Sequence, residues 1–301
     1  MKIRPQVERR CVEIVALLGL IAFVAGCSNL GGFNQSKSAL WRIRGEHNVV
    51  YLLGSVHILP KSAYPLHPAL ERAFADSKQV AFEVDIGRAT GGRVREAFSE
   101  IGAYPKGDDL SRHVSPLTLQ IVKLTCAELG VSYEKAKRFK PSLLAELLTL
   151  RYTELAGFKE DLGVDIYFYQ RAKALNKPIF GLETISDQAN VLVENGKKGE
   201  QHLLFTIGSL PEYKIALTEM VAAWRNGQVD VLDRFLNQDE RNDPEMFYRM
   251  FAKRNARWLP QIERLTHENF NCLVIVGAGH LVGNHGLIET LRQRGYRIDQ
   301  L

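Results

Sequence analysis

Two stretches constrain this chain more than any others. Residues 49–57 read Val-Val-Tyr-Leu-Leu-Gly-Ser-Val-His, and residues 273–280 read Leu-Val-Ile-Val-Gly-Ala-Gly-His. Unbroken apolar runs rich in Val, Ile and Leu are the mark of strands covered on both faces, as in a parallel sheet. Each run ends in Gly-x-x-His, and ligands of open α/β sheets bind just beyond the carboxyl ends of the strands. The glycine before each histidine is expected to let the chain turn sharply there. If the two strands are neighbours, His57 and His280 meet in one crevice although they lie far apart in sequence.

The rest of the chain supports an α/β fold: a central, mostly parallel sheet with an N-terminal hairpin, flanked by helices. Residues 40–44 alternate apolar and polar, and the turn 45–48 leads into the first long strand. Further strands are expected at 80–86, 177–184 and 296–299. Pro68 sits at a helix N1 position ahead of 69–76. Helical patterns fill 94–101, 115–129, 141–155 and 163–175, so a large helical insertion of about 94–176 separates sheet strands. Helices also cover most of 200–267, with a stretch from Pro244 expected to run to Pro260, and then 284–294. The aromatic-rich turn 165–169 is assigned to core packing.

The N-terminus reads as a targeting segment. A basic stretch (Lys2, Arg4, Arg9, Arg10) precedes the apolar run 14–23 and the small residues of Val24-Ala25-Gly26-Cys27. That order describes a signal peptide over 1–26, and a small-residue pair before cysteine resembles a bacterial lipobox. An uncleaved anchor is the alternative, although the run is short for a membrane span. Lipidated Cys27 followed by a polar, glycine-bearing tether to residue 38 would hold a single domain, 39–301, to the periplasm-facing side of a membrane. Ser28 after the cysteine resembles the outer-membrane sorting pattern. Cys126 and Cys272 are then expected to be buried free thiols. Part of the net charge of +5 belongs to the leader. No basic stripe interleaved with aromatics is present, which argues against nucleic acid as a partner.

Acids fall at telling places. Glu83 lies inside an apolar strand, where a carboxylate is expensive to bury unless paired. It faces solvent on an edge strand, or it sits beside His57. Glu183 ends another strand and either caps the next helix or joins the same crevice. Arg254, with Lys253 and Arg257, belongs to a solvated face or reaches the site as a carboxylate clamp or oxyanion donor. Two histidines and a carboxylate can bind zinc, manganese or iron and activate water. Without metal, a His–Glu pair can serve as general base. Walker, Gly-x-Ser-x-Gly, His-Glu-x-x-His and dinucleotide motifs are missing from the sequence.

Taken together, Leu40-Trp41-Arg42-Ile43, the 51–57 core, Tyr64-Pro65-Leu66, Phe82-Glu83-Val84-Asp85, Gly181-Leu182-Glu183-Thr184, Arg254-Asn255 and the run 276–283 resemble the TraB/GumN family. The likeness runs in order from about Leu40 to the C-terminus. That family includes the Tiki proteases and pheromone-shutdown proteins and is similar in fold to erythromycin esterases and ChaN-like lipoproteins. The resemblance implies His57, Glu83 and His280 at the active centre, supported by Glu183 and Arg254, and a divalent cation such as manganese, cobalt or zinc. It points to a metal-dependent peptidase or amidase acting on a peptide or protein. The rival expectations are a binding lipoprotein for haem, metal or an envelope partner, and an accessory protein of polysaccharide export.

Overall fold

The computed structural model describes residues 37–85, 87, 101–193, 198–237, 240 and 244–301. The expected signal peptide, Cys27, most of the tether and nearly all of the helix 94–101 lie outside these residues. Among the described residues no helix is long and apolar enough to cross a membrane.

Six strands form one sheet: β1 (Leu40–Arg44), β2 (Val49–Ser55), β3 (Gln79–Val84), β4 (Ile179–Glu183), β5 (Cys272–Gly277) and β6 (Ile298–Gln300), in the spatial order β4-β3-β5-β2-β1-β6. The two Gly-x-x-His strands are neighbours. β2 pairs parallel with β5, with Gly54 opposite Val276 and Ser55 opposite Gly277. β3 pairs parallel with both β5 and β4, and Val84 stands opposite Glu183. Four parallel strands therefore end at one edge of the sheet, and they carry Glu83, Glu183 and the segments leading to His57 and His280. The expected hairpin is present as the antiparallel β1–β2 pair, and β6 closes the sheet against β1. Ser38, expected to end the tether, is already docked: its Oγ donates to the Leu301 carbonyl at 3.0 Å.

Among the described residues, the α-helices longer than one turn are α1 (Pro68–Asp76), α2 (Pro116–Glu128), α3 (Pro141–Leu155), α4 (Val164–Ala174), α5 (Ile185–Val193), α6 (Gly199–Arg225), α7 (Val229–Leu236), α8 (Lys253–Leu265) and α9 (Leu287–Gln293). Prolines occupy the first turns of α1, α2 and α3, where the missing N–H removes no hydrogen bond. Two expectations need correction. α8 passes through Pro260 to Leu265. A mid-helix proline costs about 3 kcal/mol, but Trp258, Leu259, Ile262 and Leu265 are all buried, and burial of large apolar side chains outweighs it. The last helix begins at Leu287 rather than 284, because Gly286, its N-cap, is extended (φ −69°, ψ 156°) and a residue inside a helix cannot be.

The chain divides into two compact units. One takes the described parts of 37–86, 159–183 and 215–301 and contains the whole sheet. The other, 87–158 with 184–214, is helical; its core includes Val122, Cys126, Leu144, Leu148, Leu203 and Leu210. Cys126 and Cys272 are both buried free thiols, as expected.

Glu146 is an unusual member of the helical unit. Ser142, Glu146, Thr149 and Thr153 recur at helical spacing along α3 and are all buried. Glu146 Oε2 and the Thr149 hydroxyl have no hydrogen-bond partner among the described residues, and burial pushes the Glu146 carboxyl up to about 8. A carboxyl raised in the folded state contributes stability below its unfolded value that is lost as pH rises through the folded one. Wild-type protein should therefore lose about 3 kcal/mol more stability than a Glu146→Gln variant between pH 5 and pH 7.5. Urea unfolding at the two pH values measures this, and parallel changes in both proteins would refute it.

Candidate active site

The parallel sheet brings four of the sequence-predicted side chains together and a helix supplies the fifth. Glu83 is on β3, an interior strand, and is only 7% exposed, so the solvent-edge alternative fails. Its Oε1 accepts the Gly277 N–H at 2.6 Å and its Oε2 accepts Arg254 Nη2 at 2.6 Å. A methyl group built on Gly277 would lie 3.2 Å from Glu83 Oε1, 3.5 Å from His57 Nε2 and 3.7 Å from His280 Cδ2. Both histidines and the acid thus converge on one point at the end of β5.

Glu183 belongs to the same network. Its oxygens accept from Arg254 Nη2 at 2.6 Å and from Nε at 3.2 Å. The capping role is filled next door instead: Asp187 accepts from the Thr184 N–H and hydroxyl, and the Thr184 hydroxyl accepts the Asp187 N–H, a reciprocal box.

Arg254 is buried rather than solvated. It follows a π-helical turn, Tyr248–Ala252, a distortion that recurs at functional sites. A guanidinium carries five N–H groups, and here every one is engaged. Nε and one Nη2 hydrogen go to Glu183, the other Nη2 hydrogen to Glu83, and Nη1 donates to the Met250 carbonyl at 3.0 Å and to His280 Nε2 at 2.9 Å. The cation also lies 4.7 Å over the Trp258 ring. Arg254 therefore clamps both carboxylates, as one of the sequence readings had it, but retains no N–H for an oxyanion.

The two histidines differ in what stands behind them. His57 Nδ1 meets Asp165 Oδ1 at 3.1 Å. Asp165 lies in the first turn of α4, whose start is tied to the segment just after β2 by the Val164 N–H donating to the Val56 carbonyl. Burial opposes the charged form of His57, yet the neighbouring Asp165, then Glu83, outweigh it, and its pKa is raised. With Nδ1–H directed at Asp165, Nε2 faces the point beside Gly277. In the sequence Asp165 stands out only as part of an aromatic core turn. Its signal was an acid just after Gly163 at a helix start, which is too common to single out.

His280 is held by Asn255. Asn255 Nδ2 donates to the carbonyls of His280 and His285, so Oδ1 is the acceptor facing His280 Nδ1 at 2.7 Å. His280 thus carries its proton on Nδ1 and offers the Nε2 lone pair, which takes the Arg254 N–H. Its ring packs 4.4 Å from Trp258 and 5.0 Å from Phe251. Burial, then the adjacent Arg254, hold its pKa well below the ordinary value. Glu83 runs the other way: burial opposes its charge, but Arg254, the histidines and the Gly277 N–H bring it to about 2.

A model of the TraB/PrgY/gumN family matches residues 39–300. The chain belongs to the TraB/PrgY/gumN family. It is 22% identical to an uncharacterized protein of Treponema pallidum (strain Nichols) over 95% of this chain and 91% of that protein. It is also similar to proteins named Metalloprotease TIKI2: 22% identical to that of Xenopus tropicalis and 20% to that of Danio rerio, each over 87% of this chain. The chain spans about three fifths of the length of these two relatives, 60% and 61%. No solved structure matches it.

The name metalloprotease raises a metal, and the donor set tests it. The chemistry is suitable, since two imidazoles pinned at Nδ1 and a carboxylate resemble a metal shell with its supporting partners. The arrangement is not. Among the described residues no group of three His, Cys, Asp or Glu side chains could hold a metal ion. The physical reason is Arg254, whose N–H groups take the His280 lone pair and one Glu83 oxygen.

Nitrogen-15 spectra of the imidazoles test these assignments. His280 should show a protonated Nδ1 and a bare Nε2 that persist as pH falls past the ordinary histidine value, while His57 titrates above that value, which is near 6.5. A His280 that titrates with His57 would overturn this geometry.

Proposed function

We propose that this chain is a hydrolase of peptide or amide bonds, with His57 as general base. The observation that carries the reading is the His57–Asp165 pair, whose free imidazole nitrogen faces the crevice at the carboxyl ends of the parallel strands. The TIKI2 relatives, named metalloproteases, support the reaction class. His57 Nε2 takes a proton from water as it attacks the carbonyl. Asp165 accepts the Nδ1–H, fixes the tautomer and stabilises the imidazolium that forms. Glu83, ionised at every working pH, adds an acceptor on the opposite side of the reacting water. Arg254, Glu183, His280 and Asn255 are positioning residues that hold Glu83 in place.

The same proposal places the domain in a bacterial envelope. The pattern of residues 1–26 supports a signal peptide, and the Ala25-Gly26-Cys27 context supports lipidation of Cys27. The domain then faces the periplasm, the outer membrane being the favoured site by the serine after the cysteine, and its substrate is a peptide or protein met there.

Hydrolysis of a peptide library by the full-length chain, compared with His57→Ala and Asp165→Asn, tests the function. Each variant should lose about 10²–10⁴-fold in kcat with its circular dichroism unchanged. Activity in the wild type should rise with pH through the raised His57 value, because the base works only when deprotonated. In Asp165→Asn, where the raising charge is gone, the residual activity should rise at lower pH. Full turnover in both variants would reject the assignment.

A further inference from the structure

The site holds a cation of its own. Arg254 is 5% exposed, all of its N–H groups are directed, and its acceptors are two carboxylates on adjacent strands and the imidazole lone pair of the second Gly-x-x-His. These include two of the three groups that a divalent metal would need. A guanidinium at 2.9 Å from His280 Nε2 and 2.6 Å from Glu83 Oε2 both fills their lone pairs and repels a second cation at that distance. Asn255 reinforces the arrangement. With its amide turned by two carbonyl acceptors, it keeps the His280 proton on Nδ1, so that Nε2 always accepts from Arg254. His57 Nε2 then faces the crevice without the His280 nitrogen beside it as a co-ligand.

We propose that Arg254 replaces the metal in this chain: its guanidinium is the fixed positive charge of the site, and the protein hydrolyses its substrate without a bound divalent ion. The inference rests on the hydrolase reading for its catalytic consequence, but its core, that Arg254 excludes the metal, is tested without substrate. Water is activated by His57 as the base, with Glu83 as a further acceptor and no metal: an O–H bond of the water breaks, its proton moves to Nε2, and the oxygen forms the new bond to the carbonyl carbon as the carbonyl π pair moves onto its oxygen. As the carbonyl re-forms, the C–N bond breaks with its electron pair going to nitrogen, and the same proton passes from Nε2 to the leaving amine, so no further reactant is needed.

The experiment is equilibrium dialysis of the full-length chain in detergent against Co²⁺ and, separately, Zn²⁺, followed by elemental analysis and visible absorption. Wild type should retain far less than one equivalent of either ion and show no Co²⁺ ligand-field bands. Arg254→Ala frees the His280 lone pair and a Glu83 oxygen, and should take up about one Co²⁺ per chain with new visible bands. His280→Ala added to Arg254→Ala should abolish them. Stoichiometric metal in the wild type, lost in His280→Ala alone, would overturn the proposal. A folded Arg254→Ala that binds no metal would also overturn it, by showing that Arg254 is not what excludes the ion. Should Arg254→Ala fail to fold, Arg254→Lys gives the second arm. Its ammonium cannot reach all of these acceptors at once, and weak His280-dependent Co²⁺ bands are expected from it. Their absence in folded protein would count against the proposal. If no library peptide is cleaved by any form, the hydrolase reading fails while the metal result still stands or falls by itself.

Discussion

The arrangement at the sheet edge depends on one buried guanidinium. Parallel pairing puts Val84 opposite Glu183, so the carboxylates of Glu83 and Glu183 come to the ends of neighbouring strands. Two buried carboxylates side by side are untenable without a compensating charge. Arg254 provides it and adds a hydrogen bond to His280. Such a network is weak evidence for stability, since burying the ions offsets much of their attraction. Removing the arginine alone would leave two uncompensated charges, a change that typically costs 3–5 kcal/mol. The network's return is geometric. It fixes where Glu83 and His280 stand before any substrate arrives, and preorganised charge is the largest single contribution in many enzymes.

From that fixed point the two Gly-x-x-His motifs diverge. In sequence they are near copies, and they end adjacent parallel strands. Behind Nδ1 of one stands a carboxylate, Asp165; behind the other stands a neutral amide, Asn255. Beyond Nε2 of His280 stands Arg254, while Nε2 of His57 faces the crevice. A charged acceptor raises one imidazole, and burial beside a cation lowers the other. Groups pushed apart in this way are the ones that divide acid and base roles. His57 can therefore take up a proton near neutral pH, whereas His280 stays neutral and serves as an acceptor in the scaffold.

Much of this was legible in the sequence because the signals are local. Long apolar runs gave the central strands, and a Gly-x-x-His after each placed the histidines beyond their ends. An acid inside the apolar run of β3 demanded a partner, and Arg254 was the cation offered. What sequence did not give were the relations made by packing. Asp165 reaches His57 only because α4 starts against the residue before it, a contact across 108 positions. Asn255 was visible beside Arg254, but its amide orientation depends on two carbonyls from the segment after β5. The engagement of all five Arg254 N–H groups, which removes the oxyanion role, likewise needs the positions of three separate elements. Pro260 misled for a related reason, since a local helix breaker was overridden by the burial of Trp258 and its neighbours.

The glycines show how a correct motif can carry a wrong explanation. A glycine three residues before each histidine suggests a sharp turn, yet Gly54 lies within β2, and Gly277, the last residue of β5, has an ordinary φ of −50°. Neither needs a conformation reserved for glycine. Both are required by space. A methyl group on Gly54 would meet Ala278 at 3.1 Å, so its absence lets the turn after β5 lie directly on β2 and brings His280 toward His57. A methyl group on Gly277 would stand among Glu83, His57 and His280, where the proposed water must sit, beside the N–H that Glu83 accepts. The motif is thus a packing rule on both strands: one glycine lets the two strand ends approach, and the other keeps the space between the imidazoles and the carboxylate open.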